Sequence, residues 1–177
     1  LDTPQKSIPM QHRRRRKQDI AHPFLICRRE GFPALRERAR AEPWKTMRTD
    51  AFARVEKGRP DDAKAVSLQY YLGACALAYI LEPEAAGDHA QRVRRAITDG
   101  LSGIEFNPEK MHVGTVPPLG AAFVAILALD IVYNDLSTDE VEACEAVIEK
   151  QICRIDRQGA WPAARLGTHG AWDIYKG

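Results

Sequence analysis

The stretch Leu119-Gly120-Ala121-Ala122-Phe123-Val124-Ala125-Ile126-Leu127-Ala128-Leu129-Asp130-Ile131-Val132-Tyr133-Asn134-Asp135-Leu136 is apolar on almost every face, and Ser137-Thr138-Asp139-Glu140 follows it directly. A helix without a polar face has to be enclosed by other elements. The four residues after it spell a capping box, with Ser137 as N-cap and Glu140 at N3. They open a second, amphipathic helix that turns Val141, Cys144, Ile148, Ile152 and Ile155 inward. A buried helix, a short turn and a one-sided helix make an α-hairpin with one member inside and one outside.

The same pattern stands about fifty residues earlier. Residues 62–81 carry Val66, Leu68, Tyr70, Leu72, Leu77, Tyr79, Ile80 and Leu81, an apolar set that predicts burial on most sides. Residues 84–101 are amphipathic, with Val93, Ala96, Ile97 and Leu101 on one face and Arg92, Arg94, Arg95 and Asp99 elsewhere. Two such units in succession are the mark of an α/α-hairpin array, either an open solenoid or a closed toroid. The spacing exceeds a tetratricopeptide unit. A third unit starts near Gly170-Ala171-Trp172.

Two shorter helices precede these pairs. Gly31-Phe32-Pro33 opens one that runs to about Ala41, with proline in the tolerated first turn. Pro43 repeats the device for a second, whose predicted inward stripe is Trp44, Met47, Ala51 and Val55; Gly58-Arg59-Pro60-Asp61 ends it. His22-Pro23-Phe24-Leu25 is a short extended entry, since the residue before proline is pushed out of the α region. Residues 1–21 are polar and contain the run Arg13-Arg14-Arg15-Arg16-Lys17, a solvated basic arm.

The 177 residues suit one domain, 45% hydrophobic and 28% charged, with a net charge of +2 that gives no global argument for nucleic acid. Cys27, Cys75, Cys144 and Cys153 form neither a CxxC pair nor a zinc spacing, and Cys75 and Cys144 fall on apolar helical faces as small hydrophobes. No metal-ligand cluster is visible and no cofactor is expected. The sequence reading finds no membrane span.

Three phrases in order carry a resemblance. They are His22-Pro23-Phe24-Leu25 with Phe32-Pro33-Ala34-Leu35-Arg36-Glu37-Arg38, then Leu129-Asp130-Ile131-Val132-Tyr133-Asn134-Asp135-Leu136-Ser137, then Trp161 with Thr168-His169-Gly170-Ala171-Trp172. Together the chain after residue 21 resembles the heparinase II/III-like and alginate-lyase-like polysaccharide lyases. The resemblance implies an all-α region of antiparallel helical hairpins, residues 22–177, forming the N-terminal portion of an incomplete (α/α) toroid. The rest of the toroid and a β-sandwich domain are then expected beyond this chain, as part of the same polypeptide.

It also implies β-elimination beside a uronic acid in an anionic polysaccharide of glycosaminoglycan or alginate type, with neither nucleic acid nor membrane as partner, in a secreted or periplasmic enzyme. Such chemistry needs the uronate carboxylate neutralised, a base for the C5 proton and an acid for the departing C4 oxygen. His169 matches the family's histidine. Thr168 stands where the family has asparagine, a departure that leaves one hydroxyl donor in place of two amide donors. The family's tyrosine acid/base lies well downstream, outside this chain. Trp172 and Tyr175 are the candidate sugar-stacking surfaces.

The remaining candidates read as structural. His22 belongs to the entry, His89 to an exposed helix and His112 to a Gly/Pro loop. Asp130, in an apolar helix, calls for a tie to a neighbouring helix or an arginine. Arg54, Arg59 and Arg165 are cations able to meet an anionic sugar, in a chain where arginine is abundant. Two other functions stay open: an α/α-barrel glycoside hydrolase, which needs paired carboxylates, and a non-catalytic helical-repeat binding scaffold.

Overall fold

The computed structural model describes residues 20–60, 64–105 and 117–157, and within them every regular element is helical. The chain is all-α. Six α-helices follow the entry: α1 (Phe32–Arg38), α2 (Trp44–Lys57), α3 (Ala65–Leu81), α4 (Ala86–Arg95), α5 (Pro117–Val132) and α6 (Thr138–Arg157). Pro33 sits in the first turn of α1 as its sequence position requires. Gly58 ends α2 at φ 85°, a left-handed conformation that favours glycine.

α3 and α4 pack on each other across the 3₁₀ turn Pro83–Ala85, and α5 and α6 across Tyr133–Asp135. The capping box forms as expected: Ser137 N–H donates to Glu140 Oε2 at 2.9 Å, and Glu140 N–H donates to Ser137 Oγ at 3.3 Å. The predicted inner faces hold except at the end of α6, where Ile152 is only partly buried and the side chain of Ile155 lies outside the described ones. Val93, Ala96, Ile97, Leu101 and Cys144 are fully buried, and Val141 and Ile148 nearly so. After α4 the axis continues as a π-helical turn, Ala96–Gly100, and a 3₁₀ turn, Leu101–Gly103, in place of the single predicted helix.

Register contacts fix how the hairpins stack. A Cβ placed on Gly120 would lie 2.8 Å from Gln69 Oε1, and one on Gly73 would lie 4.0 Å from Val124 Cγ1. Residues 69 and 73 therefore face 120 and 124 in the same order, so α3 and α5 run parallel. Gln91 Nε2 donates to Glu140 Oε1 at 2.9 Å, while the Ile104 carbonyl accepts from Gln151 Nε2 at 3.4 Å and from Arg154. α4 and α6 are parallel by the same logic. The second hairpin repeats the first, displaced by about one hairpin width, with α3 and α5 as the buried pair.

α2 lies antiparallel on α3. Its C-terminal Arg54 covers Tyr70 near the start of α3, while Trp44 and Met47 approach Leu77 and Leu81 near its end. The C-termini of α2, α4 and α6 consequently share one end of the stack with the N-termini of α3 and α5.

Several expectations need correcting. Trp44 is 48% and Met47 53% exposed, so only Ala51 and Val55 of that stripe are buried. Trp44 and Met47 lie beside Leu35 of α1 and Leu77 and Leu81 of α3, in a groove left open to solvent. Val66 and Tyr70 are also exposed, because they lie on the side of α3 away from buried Ala65, Leu68 and Leu72. Residues 118–135 are long and apolar enough to cross a bilayer by length and composition, contrary to the sequence reading. Here half of that stretch is buried inside the fold.

Candidate functional site

Along the C-terminal half of α5 the apolar run is interrupted by Asp130, which is 4% exposed. Its partners come from the entry segment, more than a hundred residues away in sequence. Oδ1 accepts from His22 Nδ1 at 2.7 Å, and Oδ2 accepts from the backbone N–H groups of Phe24 and Leu25 at 3.0 and 2.9 Å. The expected tie was to a helix or an arginine. The observed one is to a histidine and to backbone outside any helix. Residues outside a helix have N–H groups without intrahelical partners, so two successive amides converge on one carboxylate oxygen.

The His22 ring stacks on Tyr133, centroids 3.8 Å apart and planes 10° from parallel, and meets Phe24 edge-on at 5.1 Å. Asn134 Nδ2 donates to the His22 carbonyl at 2.8 Å. The last turn of α5 and the 3₁₀ turn after it thus hold the entry by carboxylate, ring and amide together.

Beside this clamp lies a cleft of about 510 Å³ between the entry, α5 and α6. Leu129, Ile148 and Ile152 supply an apolar floor, and Glu145, Glu149 and Cys153 stand with His22 and Tyr133 around it. A histidine whose Nδ1–H is held by a carboxylate keeps Nε2 for proton exchange, the arrangement of an oriented general base. Asp130 has both oxygens engaged by three donors and serves as the orienting group. Among the described residues no group of three or more His, Cys, Asp or Glu side chains is placed to hold a metal ion.

A second histidine corrects its sequence reading. His89 is 5% exposed, not on an open face, and its Nε2 lies 3.1 Å from Glu82 Oε2. Its Nδ1 is buried without a hydrogen-bond partner. All four cysteines are free thiols, and burial pushes Cys75 and Cys144 up to about 11.

The residues that the resemblance nominates, His169, Thr168, Trp172 and Tyr175, lie outside the described residues, as do His112 and Arg165. What comes together is a pair the sequence reading took as separate structural residues, His22 and Asp130. Two signals pointed at each singly: a carboxylate in an apolar helix and a histidine before proline. Neither carries the address of its partner. No protein-family model, no curated protein and no solved structure matches the chain.

Proposed function

We propose that this chain is the N-terminal portion of the (α/α) toroid of a polysaccharide lyase, which cleaves a uronic-acid-containing polysaccharide of glycosaminoglycan or alginate type by β-elimination. The observation that supports this most is spatial. Two of the three phrases behind the resemblance, the His22-Pro23-Phe24-Leu25 entry and the stretch 130–134 where α5 passes into the 3₁₀ turn, are tied together by four hydrogen bonds and a ring stack. Phrases that are far apart in sequence and joined in space belong to one structural device. The parallel stacking of α3 on α5 and of α4 on α6 also suits a toroid, in which successive inner helices line the centre and outer ones the rim.

In this reading His169 neutralises the uronate carboxylate or takes the C5 proton, Thr168 contributes one hydroxyl donor, and Trp172 and Tyr175 stack on sugar rings. The test is near-ultraviolet absorbance from unsaturated uronate ends. The full-length protein and its His169→Ala variant are assayed on alginate, heparan, chondroitin and hyaluronan. Absorbance that grows with one polymer and collapses in the variant is the expected result.

One observation favours the hydrolase as a second reading: Glu145 and Glu149, one turn apart on α6, line the same cleft as His22. Reducing ends released without any unsaturated product, and lost in Glu145→Gln or Glu149→Gln, would establish it in place of the lyase.

A further inference from the structure

At the end of the stack where α2 finishes and α3 begins lies a groove of about 540 Å³. Arg54, Lys57 and Arg59 line it from the α2 side, and Val66 and Tyr70 from the first turn of α3. All three cations are exposed. Among the described residues no carboxylate pairs with any of them; Asp61 and Asp62 come next in sequence and lie outside the described residues. Three like charges converging on one groove raise the local potential and favour an anion there.

Two of the groups are held in place without an acid. The Arg54 guanidinium lies over the Tyr70 ring, 5.1 Å from its centroid, so the ring orients the cation while its N–H edge stays available. The Arg59 stem packs against the π-helical turn, its Cδ 3.7 Å from where a Cβ on Gly100 would sit. Tyr70 remains 57% exposed and Val66 45%. An exposed aromatic beside oriented guanidinium groups matches a ligand with a ring face and an oxyanion on its edge.

We propose that this groove binds a carboxylate- or sulfate-bearing saccharide, with Arg54, Lys57 and Arg59 on the oxyanions and Tyr70 against a sugar ring. The proposal rests on the lyase reading only for the identity of the polymer. It adds a point of attachment on α2 and α3, made of residues other than those that the resemblance nominates.

Isothermal titration of the full-length protein tests it with an unsulfated uronate hexasaccharide, a heparin-derived hexasaccharide and neutral maltohexaose. Circular dichroism checks that each variant is folded, and the surface location of the changes favours this. Either acidic hexasaccharide binds, maltohexaose does not, and Arg54→Ala/Arg59→Ala weakens binding at least about tenfold, with partial recovery in the double lysine variant. Lys150→Ala, on the exposed face of α6, leaves binding unchanged. Which acidic sugar binds separates carboxylate from sulfate as the oxyanion.

Equal binding by wild type and double variant overturns the proposal. So does maltohexaose binding as tightly as the acidic sugars, or a single-stranded oligonucleotide that binds tighter and displaces them. The absorbance assay on the same variants keeps the two readings apart. Unsaturated product formed by Arg54→Ala/Arg59→Ala with unchanged KM and kcat overturns the groove and leaves the lyase standing. Arginine-dependent binding with no unsaturated product from any polymer overturns the lyase and leaves the groove.

Discussion

Replacing Asp130 removes an acceptor shared by three donors at once, and the cost follows from their surroundings. The carboxylate is 4% exposed, with His22 Nδ1 at 2.7 Å and the Phe24 and Leu25 amides at 3.0 and 2.9 Å. A hydrogen bond to a charged group contributes about 1.5–3 kcal/mol when both sides are dry. The donors here are only partly buried, and water recovers a share of each. Asp130→Ala should therefore destabilise by about 2–4 kcal/mol. Asp130→Asn is milder, about 1–2 kcal/mol, because its carbonyl still accepts the two amides while its NH₂ faces Nδ1 and demands the other imidazole tautomer.

Urea unfolding followed by helix circular dichroism reads the difference as a shift in midpoint at constant slope. Hydrogen exchange localises it: the Phe24 and Leu25 amides lose protection in the alanine variant before the core of α3 does. An alanine variant within about 0.5 kcal/mol of the parent, or with Phe24 and Leu25 exchange unchanged, would refute the clamp.

The other predictions concern the capping box, a tight packing contact and the thiols. The Ser137 backbone N–H, then Gln91, hold Glu140 below its ordinary 4.5. A lowered carboxylate stabilises above its unfolded value and loses that contribution as pH falls through the folded one. Glu140→Gln should flatten the acid limb of a stability profile below about pH 4.5, and Ser137→Ala should cost about 1 kcal/mol at neutral pH. Gly100→Ala should lower the melting temperature: its Cβ would lie 2.9 Å from Cδ1 of buried Leu68. Overpacking of about 1–3 kcal/mol exceeds the helical gain of up to about 1 kcal/mol. With thiols raised to about 11, Cys75 and Cys144 should resist a disulfide reagent at pH 8 until denaturant is added, whereas the half-buried Cys27 and Cys153 are reached earlier. Rapid labelling of all four in the native protein would contradict their burial.

Period and local chemistry were enough for the helices. The stripe through Val93, Ala96, Ile97 and Leu101 and the Ser137/Glu140 box each depend on residues three or four apart, and each stands in the structure. The all-round apolarity of 119–136 predicts enclosure on nearly every face, yet Phe123 is 59% exposed and half of the span 118–135 is buried. Where two helices leave a groove open, the same reasoning misleads. Trp44 and Met47 share a face with Val55 and lie beside Leu77 and Leu81, yet they stay exposed. A helical period says which side faces inward and is silent on whether a neighbouring element closes over it.

The candidate sites show the same division more sharply. Asp130 in an apolar run announces from sequence alone that a partner must exist, because a buried carboxylate without one is costly. That the partner is His22 and the amides after Pro23 depends on a contact across 108 residues, which no periodicity encodes. His89 was misplaced for the same reason: whether a polar helical residue is covered depends on Glu82 and on the hairpin turn folding back over it. Likewise Arg54 and Arg59 are two candidate cations among many along the chain, and Lys57 and Tyr70 give no signal of a site, until the antiparallel packing of α2 on α3 gathers the four at one end. Sequence by itself determined helix, hairpin and cap, whose energies are local. Tertiary structure alone decided partners and grooves, since those arise from the relative placement of elements that the chain joins only at a distance.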